Sequence, residues 1–253
     1  MTEQGGVPTK LFCRQVLCGP AAASLSSALI PPNVNPDPRY EGWFTIVDRS
    51  EGVAYDLWRA RRQADGSISF QYAKRWELNG PGFSRPETVD PQGAVGARGS
   101  GLPLFAGAIL PGELRAGAIH HALAIAIPGV ARGVYVQPAS TTDGVGPEDS
   151  LPEGARIRLR PGVSLSGLAS GQSHYADVVL AALRTYGAIV VDRATVPTLY
   201  AQRNAVNGLL SSNELQSLHL SDFEVVRLPE LLHVAPEAAA AGLSADVQTG
   251  AVG

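Results

Sequence analysis

The sequence of 253 residues lacks a long hydrophobic run, because no apolar stretch approaches the roughly 20 residues that a membrane-spanning helix needs. It also lacks an excess of positive charge, since 20 lysines and arginines stand against 23 aspartates and glutamates and give a formal net charge of −3. A global basic field, which is typical of nucleic-acid-binding proteins, is therefore missing. These two absences predict that the protein neither inserts into a membrane nor binds nucleic acid.

Cysteine is scarce, with only Cys13 and Cys18 in the chain. A pair five residues apart can close a small disulfide loop in an oxidising compartment, or can remain as two buried thiols. A zinc site needs more ligands than this pair, and none of the five histidines is near it in sequence. We therefore expect no metal ion and no cofactor. A signal peptide is not readable, because cysteine, glycine, proline and serine interrupt the apolar stretches of residues 1–30.

Glycine and proline are abundant, with 28 and 19 residues, and this content disfavours long helices. An apolar share of 45% with 17% charged residues is nevertheless enough for a folded core. Helical spacing of apolar residues, closed by Gly187, predicts one convincing helix over residues 173–186. A second, short helix is predicted over residues 212–218. Strands are predicted over residues 43–48, 53–59, 68–76, 119–127, 132–137, 155–160, 188–192 and 223–228.

This succession of short strands and turns predicts an all-β fold, a jelly-roll-like β-sandwich with one or two short helices. Composition divides the chain into three regions. Residues 1–42 carry four prolines between positions 31 and 38 and are predicted to form an extended arm along the body. Residues 43–234 form the predicted sandwich domain. Residues 235–253 form a small-residue tail that has too little apolar surface to order itself.

Two adjacent histidines lie in the predicted strand over residues 119–127. Because side chains alternate along a strand, His121 shares a face with isoleucines and a leucine, and His120 shares the opposite face with alanines. His121 is then either a hydrogen-bonded core residue or a proton-transfer group at a strand end. His120 is suited to lining a cleft on the small-residue face. The two rings point in opposite directions, so both cannot bind one metal ion from a regular strand.

Aspartates in two strands offer acid or base chemistry. Asp56 shares a face with Trp58, and an acid beside an indole suits a sugar, whose C–H faces pack on aromatic rings while its hydroxyls bond carboxylates. The alternative is ordinary: Trp58 lies in the core and Asp56 bonds a neighbouring strand. Asp192 ends a β-branched run and is followed by arginine, a pattern that serves either a turn or a site.

Arginines recur at every second position over residues 155–160, so Arg156 and Arg158 share one face of a strand. Such a stripe is either a solvated outer face or a groove for a polyanion such as an acidic polysaccharide.

Several segments in a common order resemble a poorly characterised family of bacterial and fungal proteins. The matching segments are Ile46-Val-Asp48, Tyr55-Asp-Leu-Trp58, Gly101-Leu-Pro-Leu-Phe-Ala-Gly107, Gly117-Ala-Ile-His-His-Ala-Leu123, Pro138-Ala139, Thr142-Asp-Gly144, Leu151-Pro-Glu-Gly-Ala-Arg-Ile-Arg-Leu159 and Ala182-Leu-Arg-Thr-Tyr-Gly-Ala-Ile-Val-Val-Asp192. Family members are mostly secreted and are often found beside carbohydrate-binding modules. They carry histidine at the place of His121, an acid at that of Asp56 and aspartate at that of Asp192. The resemblance implies a β-sandwich and an extracellular location.

The first functional hypothesis is a glycan-associated protein that binds or cleaves a polysaccharide. Whether it is an enzyme stays open, since two aspartates suit a hydrolase and a histidine suits proton abstraction in a lyase. The candidate catalytic residues are His121, Asp56 and Asp192, and the candidate substrate-binding residues are Trp58, His120, Arg156 and Arg158.

The second hypothesis is a structural or assembly subunit, of the virion or surface-layer type. Here the proline-rich arm and the alanine-rich tail reach over neighbouring subunits, because neither has enough large apolar groups to order itself unaided. This hypothesis implies a homo-oligomer.

Overall fold

The computed structural model describes residues 6–38, 41–83, 96–163, 174–203, 205–226 and 228–234. The predicted C-terminal tail over residues 235–253 lies outside the described residues. Two α-helices are present in the described part, α1 (Glu113–Ala116) and α2 (His174–Thr185), with 3₁₀ helices at Ser212–Leu215 and Leu220–Asp222. The strands are β1 (Val7–Cys13), β2 (Ser27–Ile30), β3 (Phe44–Asp48), β4 (Val53–Trp58), β5 (Arg61–Arg62), β6 (Ile68–Phe70), β7 (Tyr72–Glu77), β8 (Leu123–Ile127), β9 (Val134–Tyr135), β10 (Arg156–Leu159), β11 (Ala188–Arg193), β12 (Thr198–Leu199), β13 (Phe223–Val225) and β14 (Leu232–His233).

The protein is therefore rich in short strands, as the sequence predicts. Its described sheets are open, and they do not confirm the jelly-roll part of the prediction. Helix α2 lies within one residue of its predicted bounds, because Val179 and Leu183 bury one stripe and Gly187 follows with a positive φ of 74°. None of the helices described is long and apolar enough to cross a membrane.

The chain divides into two compact units, and the boundary falls between Leu104 and Phe105. We call the described residues up to Leu104 unit 1, and those from Phe105 to Val234 unit 2. This boundary lies inside the region that the sequence predicts to be one domain. Within the region of the predicted arm, β1 and β2 pair with each other, and β1 pairs in parallel with β6. Leu11 and Ile30 are buried, so this segment belongs to the core of unit 1.

Unit 1 contains a four-stranded sheet in the order β2-β1-β6-β5 and an antiparallel sheet in the order β3-β4-β7. Alternating apolar residues of these strands form its main core, which includes Leu11, Ile30, Ile46, Leu57, Ile68 and Phe70. A disulfide bond joins Cys13 to Cys18 just after β1. Of the two alternatives for this pair, the structure shows the disulfide loop.

Unit 2 is built on a five-stranded sheet in the order β12-β8-β11-β10-β13, with α2 packed into the same core. Strands β8 and β11 are parallel, and the chain between them contains α2. Strand β8 begins at Leu123, later than predicted, so His120 and His121 precede it. The strand-alternation argument for the two histidines is therefore wrong.

Candidate functional site

Asp56 is fully buried in unit 1 and holds three segments together. Its Oδ1 accepts a hydrogen bond from the Thr45 hydroxyl at 2.6 Å, and its Oδ2 accepts bonds from Trp76 Nε1 and the Leu104 backbone N–H, both at 2.8 Å. Burial raises the pKa of Asp56, while these three donors and the charge of Arg98 act to lower it. Such a carboxylate is saturated with partners and shielded from solvent, so its arrangement is that of a structural residue.

Trp58 is half-buried and packs against a small cluster that contains Tyr72 and Leu104. Its indole Nε1 donates a hydrogen bond to Glu41 Oε2 at 2.7 Å. The guanidinium of Arg59 lies over the indole ring, 4.3 Å from the ring centroid. One ring face is thus covered by a cation and not presented to a sugar.

His121 belongs to unit 2 and bridges two neighbouring segments. Its Nε2 lies 3.0 Å from Glu113 Oε1 in α1, and its Nδ1 lies 2.9 Å from the carbonyl oxygen of Ala122. Both neighbours are hydrogen-bond acceptors of the protein itself, so each ring nitrogen of His121 has an internal partner. His120 is exposed, and its Nδ1 lies 3.5 Å from the Tyr186 hydroxyl. Neither nitrogen of His121 is left to face a substrate.

Arg156 and Arg158 lie on the exposed face of β10, as the alternation predicts. Arg156 donates from Nε to the carbonyl oxygen of Tyr186 at 2.6 Å, and Arg158 donates from Nε to Glu224 Oε1 at 2.9 Å. Both guanidinium groups therefore have partners within unit 2. The stripe has the character of a solvated outer face.

A different group of arginines lies together on unit 1, and we call Arg14, Arg59 and Arg61 the basic surface. Arg14 lies inside the disulfide loop and donates to Ser69 Oγ at 3.0 Å. Arg61 pairs directly with Ser69 in the β5–β6 register, so the two arginines flank the same residue. Arg59 donates to Gln71 Oε1 at 3.3 Å.

The charges of the three arginines of the basic surface also act on one another. Partial burial lowers the pKa of Arg14, and the positive charges of Arg61 and Arg59 lower it further. Among the residues that the structure describes, no carboxylate forms an ion pair with any of the three. Like charges gathered without a counter-ion favour the arrival of an anion.

Asp192 lies near the end of β11 and joins a second cluster, formed with Asp143 and Glu153. One carboxylate oxygen from each residue lies within 4.8 Å of the others, and we call these three residues the carboxylate cluster. Glu153 is fully buried, Asp192 is 8% exposed and Asp143 is exposed. The cluster thus runs from the interior of unit 2 to its surface.

The most buried member of the cluster is incompletely bonded. Glu153 Oε2 accepts the backbone N–H of Asp143 at 3.3 Å, but Glu153 Oε1 has no hydrogen-bond partner. Burial raises the pKa of Glu153 well above its ordinary value and the charges of Asp143 and Asp192 raise it further, while hydrogen bonds from the Thr142 side chain and the Asp143 backbone act to lower it. At the surface end, Arg193 Nε donates to Asp143 Oδ2 at 2.9 Å.

Local backbone features bring the three acids together. A register shift between Val190 and Asp192 interrupts the β8–β11 ladder, and such a bulge redirects a side chain. Glu153 is followed by Gly154, which has a φ of 84° and lies so close to Val136 that a Cβ would meet its carbonyl oxygen at 1.6 Å. Only glycine fits there, which fixes the turn that carries Glu153.

The predicted site residues are divided between the two units. Asp56 and Trp58 belong to unit 1, whereas His121 and Asp192 belong to unit 2, so neither unit contains the four-residue cleft. Within unit 2, β8 and β11 are parallel with Ala126 opposite Asp192, which places His121 at the other end of the strand pair. At ~3.3 Å per residue this separation is on the order of 15 Å.

The sequence analysis missed Arg14, Arg59 and Arg61, and also Asp143 and Glu153. For the two acids a signal existed, because each is followed by glycine in a turn segment, Thr142-Asp-Gly144 and Pro152-Glu-Gly154. Comparison with family models, curated proteins and solved structures found no match for this chain. The resemblance to the secreted sandwich family therefore stays a hypothesis.

Proposed function

We propose that this is a glycan-binding protein of an oxidising, extracytoplasmic compartment, and that it holds an acidic polysaccharide on the basic surface of unit 1. The observation that carries the proposal is the placement of Arg14 and Arg61 on either side of Ser69, with Arg59 bonded to nearby Gln71 and no carboxylate among the described residues paired with any of the three. Guanidinium groups bind carboxylate and sulfate oxygens in a two-pronged geometry. The ligand class is therefore a polymer with uronate or sulfate groups.

The disulfide supports the location and the ligand. Disulfide bonds persist outside the reducing cytosol, and Arg14 lies inside the loop that Cys13 and Cys18 close. The net charge of −3 disfavours nucleic acid as the polyanion, because binding there rests on a broad basic field. The basic surface is local and the protein as a whole is weakly acidic. We therefore expect a glycan whose charged groups are spaced along its chain.

Binding is favoured over cleavage by the state of two of the three predicted catalytic groups. Asp56 is buried and fully bonded, and both nitrogens of His121 face acceptors within the protein. A general acid or base has to reach the reacting atoms of its substrate. The assembly hypothesis stays the second proposal, and the segment that contains β1 pairs with β6 of its own unit.

The experiment measures affinity for polysaccharides that differ in charge: a sulfated glycan, a polyuronate and a neutral glucan. We expect binding to the charged polymers that weakens as salt rises. The double variant Arg59→Gln/Arg61→Gln should lower affinity about tenfold or more, because two charge-assisted contacts are removed. The matched control is Arg156→Gln/Arg158→Gln, which removes the same charge from unit 2.

An unchanged affinity in the control, with a loss in the test variant, supports the basic surface. Equal losses in both variants would show a non-specific charge effect. Binding to the neutral glucan alone, or to none of the polymers, would overturn the proposal.

A further inference from the structure

The carboxylate cluster of unit 2 has the composition of a site for a hard divalent cation. Asp143, Glu153 and Asp192 each place one oxygen within 4.8 Å of the other two, a spacing that one ion can bridge. Arg193 pairs with Asp143 at the surface end of the cluster. A bound divalent cation would favour the ionised form of all three carboxylates.

A second observation points to a ligand. Glu153 is 0% exposed, and its Oε1 atom has no hydrogen-bond partner. A buried acceptor without a partner is costly, so native proteins rarely keep one without reason. Position 153 is occupied by a glutamate and not by an apolar or amide residue. The tight turn at Gly154 holds its carboxyl group in the interior. A bound cation would satisfy this oxygen.

We propose that Asp143, Glu153 and Asp192 form a calcium site. All three donors are carboxylate oxygens, which suit calcium and magnesium and not zinc, whose usual ligands are nitrogen and sulfur. Calcium accepts several carboxylates in flexible geometry, whereas magnesium commonly keeps most of its water and uses one or two. Three converging carboxylates therefore favour calcium.

The site has a defined inner and outer end. Glu153 and Asp192 form the buried end, and their positions are fixed by the Gly154 turn and by the irregularity in β11. Asp143 forms the exposed end, where its Oδ2 is held by Arg193. An ion enters past Asp143, whose second oxygen is available for coordination.

Calcium titration followed by calorimetry and by thermal unfolding tests this proposal on the full chain. We expect one site per chain with an affinity in the range of extracellular modules, Kd of roughly 10⁻⁴ to 10⁻³ M. At about 10 mM calcium the melting temperature should then rise by about 3 to 10 °C. Magnesium should give a smaller rise at the same concentration.

Glu153→Gln and Asp192→Asn should abolish the calcium-dependent rise, since each keeps the side-chain shape and removes a charged ligand. If a buried variant fails to fold, Asp143→Asn tests the same site from its exposed end. The control is Asp149→Asn, an exposed aspartate that lies outside the cluster and should keep the full rise. No heat and no thermal shift with calcium, or a rise that persists in all three cluster variants, would overturn the calcium site. Neither outcome bears on the basic surface of unit 1.

Discussion

Trp76 Nε1 donates to Asp56 Oδ2 across 2.8 Å, a bond buried between β7 and β4. The same oxygen accepts the backbone N–H of Leu104, so one carboxylate ties a sheet to the segment that ends unit 1. We expect Asp56→Ala to lower the free energy of unfolding by about 3 to 5 kcal/mol, because it leaves buried donors without an acceptor. Urea unfolding measures this loss.

The matched variant is Asp56→Asn, and we expect it to cost about 1 kcal/mol. The amide oxygen can keep the bonds from Trp76 and Leu104, while its NH₂ group turns to Thr45, whose hydroxyl can accept instead of donate. Equal losses in the alanine and asparagine variants would contradict this view of Asp56.

Glu153 should give the protein an unusual dependence on pH when calcium is removed by a chelator. The pKa of this buried carboxyl is raised in the folded protein, so between its ordinary value of 4.5 and the raised value the folded state holds a proton that the unfolded state has released. Stability therefore falls as pH rises through this window, by up to about 1.4 kcal/mol per pH unit.

Glu153→Gln removes the titrating group. As pH rises from 5 to 8, the wild-type protein should therefore lose more unfolding free energy than the variant does. Parallel pH profiles of the two proteins would refute this expectation. Measuring the difference cancels the contributions of distant titrating groups, whereas Asp143 and Asp192 interact with Glu153 and titrate together with it.

Local patterns were sufficient to predict some elements. Helix α2 follows from its apolar stripe, and β3 and β4 follow from β-branched and aromatic runs around a glycine turn. The late start of β8 was not predicted, because His120 and His121 continue an alternating pattern without joining the ladder. Propensity alone cannot place a strand end that is set by pairing with β11.

The sites themselves depend on contacts between distant positions. Arg14 reaches Ser69 only through the parallel pairing of β1 with β6, which the proline-rich sequence that follows β2 did not suggest. Glu153 lies 39 positions before Asp192, and the hydrogen bond from the Gly154 N–H to the Val190 carbonyl oxygen holds its turn beside β11. Such register is fixed by tertiary packing and cannot be obtained from one strand's sequence.

Removing the disulfide tests its structural and functional contribution together. The double variant Cys13→Ser/Cys18→Ser should lower the free energy of unfolding by about 2 kcal/mol, the magnitude for a loop this short. It should also weaken binding of a sulfated glycan, because Arg14 lies within the loop and loses its fixed position. Chemical denaturation and affinity measurements check the two parts, and an unchanged affinity would show that Arg14 does not contact the ligand.

The last prediction concerns His121 and uses His120 as its control. His121→Ala removes a partly exposed contact with Glu113 Oε1 at 3.0 Å and a bond to a backbone carbonyl, so we expect a loss of about 1 kcal/mol. His120→Ala should change stability by less than about 0.5 kcal/mol, since its side chain is exposed. Thermal unfolding measures both, and glycan affinity should be unchanged in both variants because neither histidine belongs to the basic surface. A loss of glycan binding or turnover in His121→Ala, at unchanged melting temperature, would return His121 to the functional site and contradict its structural role.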